Sequence, residues 1–360
     1  MTYKLDILRY LCIFVLPYKW YLVTVRALST VVAALYGVSE SRPTSSVFRH
    51  SQILSCLRRG LEGETEPSWA SIHSSLRRGG FDTEALQLMD SRRLTRAEGL
   101  LERHALVTSA CEAYPQRLLK TLGRNAPPVL WMSEPDMAIN PPWQDELGRS
   151  RLGVGGVGCR QPLELGLRLA RGAGAWCADR GCFGVSGAAA GCDSAFAEGV
   201  LSEDGDIVHC LPCGMDHGRY RGYAISVCPP AEPFSAWRAM ERNRLIYALA
   251  NFTLVCSARF RIGGSWQGAT SAIRSHHAVA VIDWTLRSSY AAPLDDHGDH
   301  LQRGTHLCAQ RALTNLGAYQ LRVNPASWEA ELPLALDEAM TWACEVQAGV
   351  VSGGLFATAR

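Results

Sequence analysis

The sequence predicts an α/β protein: a mostly parallel sheet with helices on both faces, preceded by a helical N-terminal region. Three observations carry this. Short apolar runs of four to six residues recur between Leu152 and Ile282, separated by stretches of helical length. Strands alternating with helices in this way imply a mostly parallel sheet covered on both faces. Glycine and small residues cluster just after the runs, where an α/β sheet turns from strand to helix.

In chain order, Ile7 to Val38 is apolar but interrupted by Pro17, Lys19 and Arg26. Its longest uncharged run, Ala27 to Ser39, is too short to span a bilayer. Asp6 and the lack of a small-residue cleavage site speak against a secretory signal. Residues 1–46 therefore read as an apolar extension ending in the linker Ser41 to Ser46, with no membrane partner. Residues 47–125 read as short amphipathic helices, among them Ser91 to Arg103 with Leu94, Leu100 and Leu101 on one side. Asn125-Ala126-Pro127-Pro128 closes that region, Val129 to Met132 is a short strand, and Pro135 and Pro141-Pro142 mark loops.

Residues 126–285 then form the sheet domain. Leu152 to Val157 is a strand, and Pro162 opens a helix running to about Trp176. Phe183 to Ser186 is a strand, Asp193 to Leu201 a helix and Ile207 to Leu211 a strand. After an irregular stretch come a helix over Trp237 to Ala250, a strand over Phe252 to Cys256, a helix over Ala269 to Ser275 and a strand over Val279 to Ile282. This alternation is Rossmann-like. Residues 286–360 read as a polar loop and a mostly helical tail, with Ala309 to Leu316 a helix.

Composition narrows the function. The 360 residues carry a net charge of +2, so a nucleic-acid site has to be a local patch. Thirteen cysteines, an odd number without framework spacing, fit reduced and mostly buried thiols in a cytoplasmic protein.

The strongest local signal is Arg242-Asn243-Arg244, followed by the apolar run and then Gly263-Gly264-Ser265-Trp266-Gln267-Gly268-Ala269. From Arg238 to Arg261 there are five arginines and one acid, Glu241. Arginine suits planar, bidentate anions such as phosphate, although a solvated charged face has the same composition. Two further strand ends carry similar chemistry. Gly158-Cys159-Arg160-Gln161-Pro162 sets an arginine beside a helix N-terminus. Ser186-Gly187-Ala188-Ala189-Ala190-Gly191-Cys192-Asp193 offers small residues for close approach, with Asp193 placed to cap the next helix.

Other patterns are weaker. Gly153, Gly155 and Gly158 match a dinucleotide GxGxxG, but Asp179 precedes the second strand where a ribose-binding acid should end it. Cys210 and Cys213 with His209 have metal or redox spacing without a second pair, and read as small apolar residues at a strand end. Asp295, Asp296, His297, Asp299, His300, His306 and Cys308 form a polar, ligand-rich loop. No metal or cofactor is expected.

Taken in order, Tyr114-Pro115 with Leu118, Ala126 to Leu130, Val157 to Arg160, Ser186 to Asp193, and Met240 to Ile246 with Gly263 to Ala269 resemble the DNA-processing protein A (DprA/Smf) family. The likeness runs from about Leu94 to Ile282 and, more faintly, to Ala312 through Ala318. It implies a Rossmann-like domain that binds single-stranded DNA without catalysis, forms homodimers, and passes the strand to a RecA-type recombinase in natural transformation. It also implies that Gly158, Arg160, Ser186, Gly187, Arg242, Asn243, Arg244, Gly263 and Gly264 line a pocket for the DNA backbone. Tyr247 and Trp266 stand near enough in sequence to offer stacking faces for bases, or to be core aromatics.

The chain departs from the family at Cys159, usually serine, at Ala190, often basic, and at Phe196, often histidine. No winged-helix module is recognisable after Asp283. Phosphoribohydrolases of the same superfamily place a catalytic glutamate after the second glycine loop. Thr270 stands there and supplies no carboxylate, so binding is expected over cleavage.

Overall fold

The computed structural model describes residues 69–79, 91–109, 111–127, 129–282, 309–324 and 326–349. The apolar extension, the linker and the 295–308 cluster lie outside them. The described residues divide into two compact units.

The first unit comprises described residues of Met1–Tyr114 together with Pro127–Ile139. It holds helices α1 (Trp69–Arg78) and α2 (Ser91–Leu101) and strands β1 (Ala105–Thr108) and β2 (Val129–Met132). The helices bury Ile72 and Leu76, and Ala97 and Leu100. The two strands pair antiparallel, Ala105 opposite Met132. β1 was expected to continue the helical region. Its four residues are separated from α2 by only three residues, so only the pairing with β2 reveals a strand. The Tyr114 hydroxyl donates to the Pro127 carbonyl at 2.6 Å, joining two of the motif segments.

The second unit comprises Pro115–Ala126 and described residues from Asn140 onward. Its elements are α3 (Gln116–Leu122), β3 (Gly153–Gly158), α4 (Glu164–Asp179), β4 (Phe183–Ser186), α5 (Cys192–Ser202), β5 (Ile207–Cys210), β6 (Tyr223–Ser226), α6 (Ala236–Leu249), β7 (Phe252–Ser257), α7 (Gly263–Arg274), β8 (Val279–Ile282), α8 (described over 309–315), β9 (Tyr319–Leu321) and α9 (Trp328–Gln347). The seven strands run parallel in the order β6-β5-β4-β3-β7-β8-β9. The α/β class and the mostly parallel sheet are thus as expected.

Both faces of the sheet are covered. Phe252, Leu254 and Cys256 of β7 share one core cluster with α4, α5 and α9. The intervening Thr253 and Val255 are equally buried, on the face where α6 and α7 pack against β7. Arg117 on α3 ties this layer together, donating to the Ala250 carbonyl at 2.9 Å and to Gln347 Oε1 at 3.1 Å.

Several element bounds differ from the sequence reading. β6 falls in the stretch read as irregular and β9 in the tail read as mostly helical. Both are short, and both are defined by parallel pairing, Val208 opposite Tyr223 and Ala280 opposite Tyr319. Pro162 lies two residues before α4, whose N-cap is Leu163. Gly263 and Gly264 are the first turn of α7 and not a loop ahead of it. Gly153, Gly155 and Gly158 all lie inside β3, so they do not form the strand-to-helix turn that a dinucleotide fingerprint needs.

Candidate functional site

Chain order and strand order diverge between β3 and β7. From β3 the chain moves outward through β4 and β5 to β6, then returns to place β7 on the other side of β3. Such a switch point opens a crevice beyond the carboxyl ends of the strands, where α/β sheets bind ligands. A cavity of about 630 Å³ lies there. Its walls come from the end of β3 and the loop beyond (Val157 to Gln161), from α6 (Ala236 to Tyr247), and from the β7–α7 connection (Arg259 to Ser265).

Two buried charges dominate it. Arg242 on α6 is 8% exposed, and its Nε and Nη1 have no hydrogen-bond partner. Asp193, in the first turn of α5, is 5% exposed and accepts the Gly158 amide at 3.2 Å. Burial lifts its carboxyl to about 6, against the pull of Arg242 and of the Gly158, Ala189 and Gly187 amides. Asp193 was expected to cap α5. The N-cap is instead Gly191, and the carboxylate turns inward to the strand-end amides.

Gly187 makes this arrangement sterically possible. A Cβ there would overlap the Arg242 guanidinium and stand 2.6 Å from Asp193 Oδ2. The acid and the base thus flank the space a side chain would fill. At Gly158 a Cβ would meet Cys192 Cβ at 2.5 Å, so α5 comes this close to the end of β3 only because position 158 is glycine.

On the opposite wall, α7 begins at Gly263 with φ +81 and no side-chain cap. Its first residues, Gly263, Gly264 and Ser265, line the cavity and present uncapped N-terminal amides to it. Asn243 Nδ2 donates to the Gly264 carbonyl at 3.4 Å and holds this turn against α6.

Of the residues expected at the pocket, Gly158, Arg160, Arg242, Asn243, Gly263 and Gly264 line the cavity. Arg160 is exposed at its edge. Four others stand outside the lining. The Ser186 hydroxyl is fully buried and donates to the Gly156 carbonyl at 2.7 Å, so it braces β4 on β3. Gly187 acts through the room it leaves for Arg242. Arg244 is half-exposed, 3.9 Å from Glu241 Oε2 and off the cavity. The Trp266 ring packs edge-on to Phe260, with centroids 5.0 Å apart.

Tyr247 does line the cavity, but at 4% exposure it presents no open ring face, and burial pushes its hydroxyl well above the ordinary range. It is a core aromatic. Asp179 ends α4 beside Arg180, away from the cavity. The Thr270 hydroxyl donates to the Trp266 carbonyl within α7 at 3.0 Å. Cys210 and Cys213 are buried, and no group of metal ligands occurs among the described residues.

The sequence reading missed two contributors. Arg259 lines the cavity with a buried Nε that has no partner. It was visible among the five arginines, but only its place just past β7 brings it to the pocket. An apolar rim was also missed. Phe234, Met240 and Ile262 line the cavity yet remain exposed, and Trp237, 68% exposed, lies three residues before Met240 on the same side of α6. Large apolar side chains left in water beside a basic pocket are the unusual observation here.

The family model described as DNA recombination-mediator protein A matches residues 105–294, just over half of the chain. No curated protein matches. Among solved structures, DNA processing protein A from Streptococcus pneumoniae is 18% identical, with a TM-score of 0.45, covering 79% of this chain and 95% of that one. DNA processing protein A from Helicobacter pylori, described in its single-stranded DNA binding mode, is 19% identical, with a TM-score of 0.41 over 59% of this chain and 95% of that one. A molybdenum cofactor binding protein from Rippkaea orientalis is 17% identical, with a TM-score of 0.38 over 53% and 98%. Among the described residues, no helix is long and apolar enough to cross a membrane.

Proposed function

Since this chain belongs to the DNA recombination-mediator protein A family, we propose that its switch-point cavity binds the backbone of single-stranded DNA without cleaving it. The observation that carries this reading is the Arg242 guanidinium, nine-tenths buried with two nitrogens unpartnered at a cavity wall. A buried guanidinium with two unpartnered nitrogens is costly, and an anion bound beside it removes much of that cost. Arg160, Arg259 and the amides at the start of α7 add to the field of the same sign.

A cluster of guanidiniums and helix N-terminal amides suits phosphate contacts, which position a strand without reading its sequence. The exposed rim of Phe234, Trp237 and Met240 gives bases a surface to stack on. Transfer of the strand to a RecA-type recombinase during natural transformation, homodimerisation through the same domain and a cytoplasmic setting belong to this proposal as implications of the family.

The test is binding of a labelled oligothymidylate, followed by anisotropy across a range of salt. Affinity should fall steeply with salt. Arg242→Ala should weaken binding about tenfold or more and lower the salt slope by about 0.7. Arg244→Ala, whose side chain is off the cavity beside Glu241, should do much less. Binding indifferent to salt and to Arg242→Ala refutes the proposal. Release of free base from a nucleoside monophosphate would mark the phosphoribohydrolase-like alternative instead.

A further inference from the structure

An amide nest at the end of a strand ordinarily waits for a ligand's phosphate. Here the protein fills that nest with its own carboxylate. Asp193 Oδ1 takes the Gly158 amide at 3.2 Å, and the nearby Gly187 and Ala189 amides also favour the ionised carboxylate. These amides are therefore engaged before any ligand arrives. A phosphate drawn to Arg242 enters the field of a buried anion on the far side of Gly187. A second anion enclosed at close range disfavours the charged form, and the weaker acid takes the proton.

A phosphodiester is far too strong an acid to accept one at neutral pH, which leaves the carboxylate. We infer that Asp193 takes up a proton from solvent as a phosphate enters the cavity, making strand binding here proton-linked. The proton goes to Oδ2, on the side of Arg242, while Oδ1 keeps the Gly158 amide. The neutral acid then donates to a phosphate oxygen through Oδ2–H. This rests on the strand-binding reading of the cavity and adds its regulation by pH.

The groups facing Asp193 leave it to titrate alone. They are Arg242 and Tyr247 on α6, Cys256 on β7 and Cys192 beside it on α5. Tyr247, Cys256 and Cys192 are pushed upward by their surroundings and stay neutral. His209, which feels Arg242 from β5, is held by burial at about 4 and is also neutral near pH 7. Asp193, lifted to about 6, is the group poised to change.

The experiment measures oligothymidylate affinity for the full chain from about pH 5.5 to about pH 8 at fixed ionic strength. Wild type should bind about threefold or more tighter for each pH unit lowered from 8 toward 6, bounded at about tenfold for one proton, and level off below. Asp193→Asn should flatten that slope and bind more tightly than wild type at about pH 8. Calorimetry of the wild type in buffers of different ionisation enthalpy should show net proton uptake, which needs no variant to fold. An equal slope in Asp193→Asn, or no proton uptake, overturns the inference and leaves strand binding intact. Absence of binding at every pH overturns the strand-binding reading, and this inference with it.

Discussion

Replacing Asp193 by asparagine should make the fold more stable at neutral pH. The structure sets the size of the effect. The carboxylate is 5% exposed, and its proton affinity has moved from the ordinary 3.8 to about 6. Keeping it ionised at pH 7 therefore costs the folded state about 3 kcal/mol relative to the neutral acid. Asparagine has nearly the same shape and keeps an oxygen for the Gly158 amide, but turns an NH2 toward donors the carboxylate accepted from. That mismatch costs about 1 kcal/mol.

The net gain is about 2 kcal/mol at pH 7, and each kcal/mol raises Tm by about 2–4 °C for a domain of this size. The sign with pH follows from the raised value. The folded protein holds this proton more tightly than the unfolded chain, so its contribution is full below about pH 4 and is lost as pH rises through about 6. Thermal unfolding followed by circular dichroism should thus show the variant's advantage at pH 7.5 shrinking away, or reversing slightly, at about pH 4. A variant less stable than wild type by the same margin at both pH values would refute the reasoning. It would mean the amides hold the carboxylate so well that no burial penalty remains.

Two further substitutions test the geometry of the crevice. Gly187→Ala places a Cβ into the Arg242 guanidinium and should cost about 1–3 kcal/mol in denaturant unfolding. It should also weaken oligothymidylate binding about as much as Arg242→Ala; a variant that binds normally would show that Arg242 need not stand over Gly187. Trp237→Ala removes a ring that is 68% exposed, so Tm should barely move. Its strand affinity should fall by about 1–3 kcal/mol if the ring stacks a base, and unchanged affinity would remove Trp237 from the interface.

The central sheet was legible because its strands are buried on both faces. Phe183 to Ser186 and Val279 to Ile282 match the sequence reading to the residue. β1, β6 and β9 were not legible. β1 follows a helical pattern, β6 falls in an irregular stretch and β9 in a tail read as mostly helical, and each is defined as a strand by pairing with its neighbour. At the site, Arg160, Arg242, Asn243, Gly263 and Gly264, named through the family resemblance, all line the cavity at one edge of the parallel sheet. Side-chain direction could not be read in the same way. Ser186 turns to the Gly156 carbonyl, Arg244 lies off the cavity and Tyr247 is buried, because strand and helix periodicity decide which neighbours in a motif share a face.

The sequence by itself determined the α/β class and the edge of the sheet where arginines and glycines collect, because apolar runs and turn residues are local signals. Only the tertiary structure decided that β7 lies beside β3, which brings Arg259 and the start of α7 to the end of the Gly158 strand. It alone also decided that Asp193 fills the amide nest beneath Arg242. Those contacts join residues dozens of positions apart. Their charge, burial and missing partners exist only once the sheet order has closed the crevice around them.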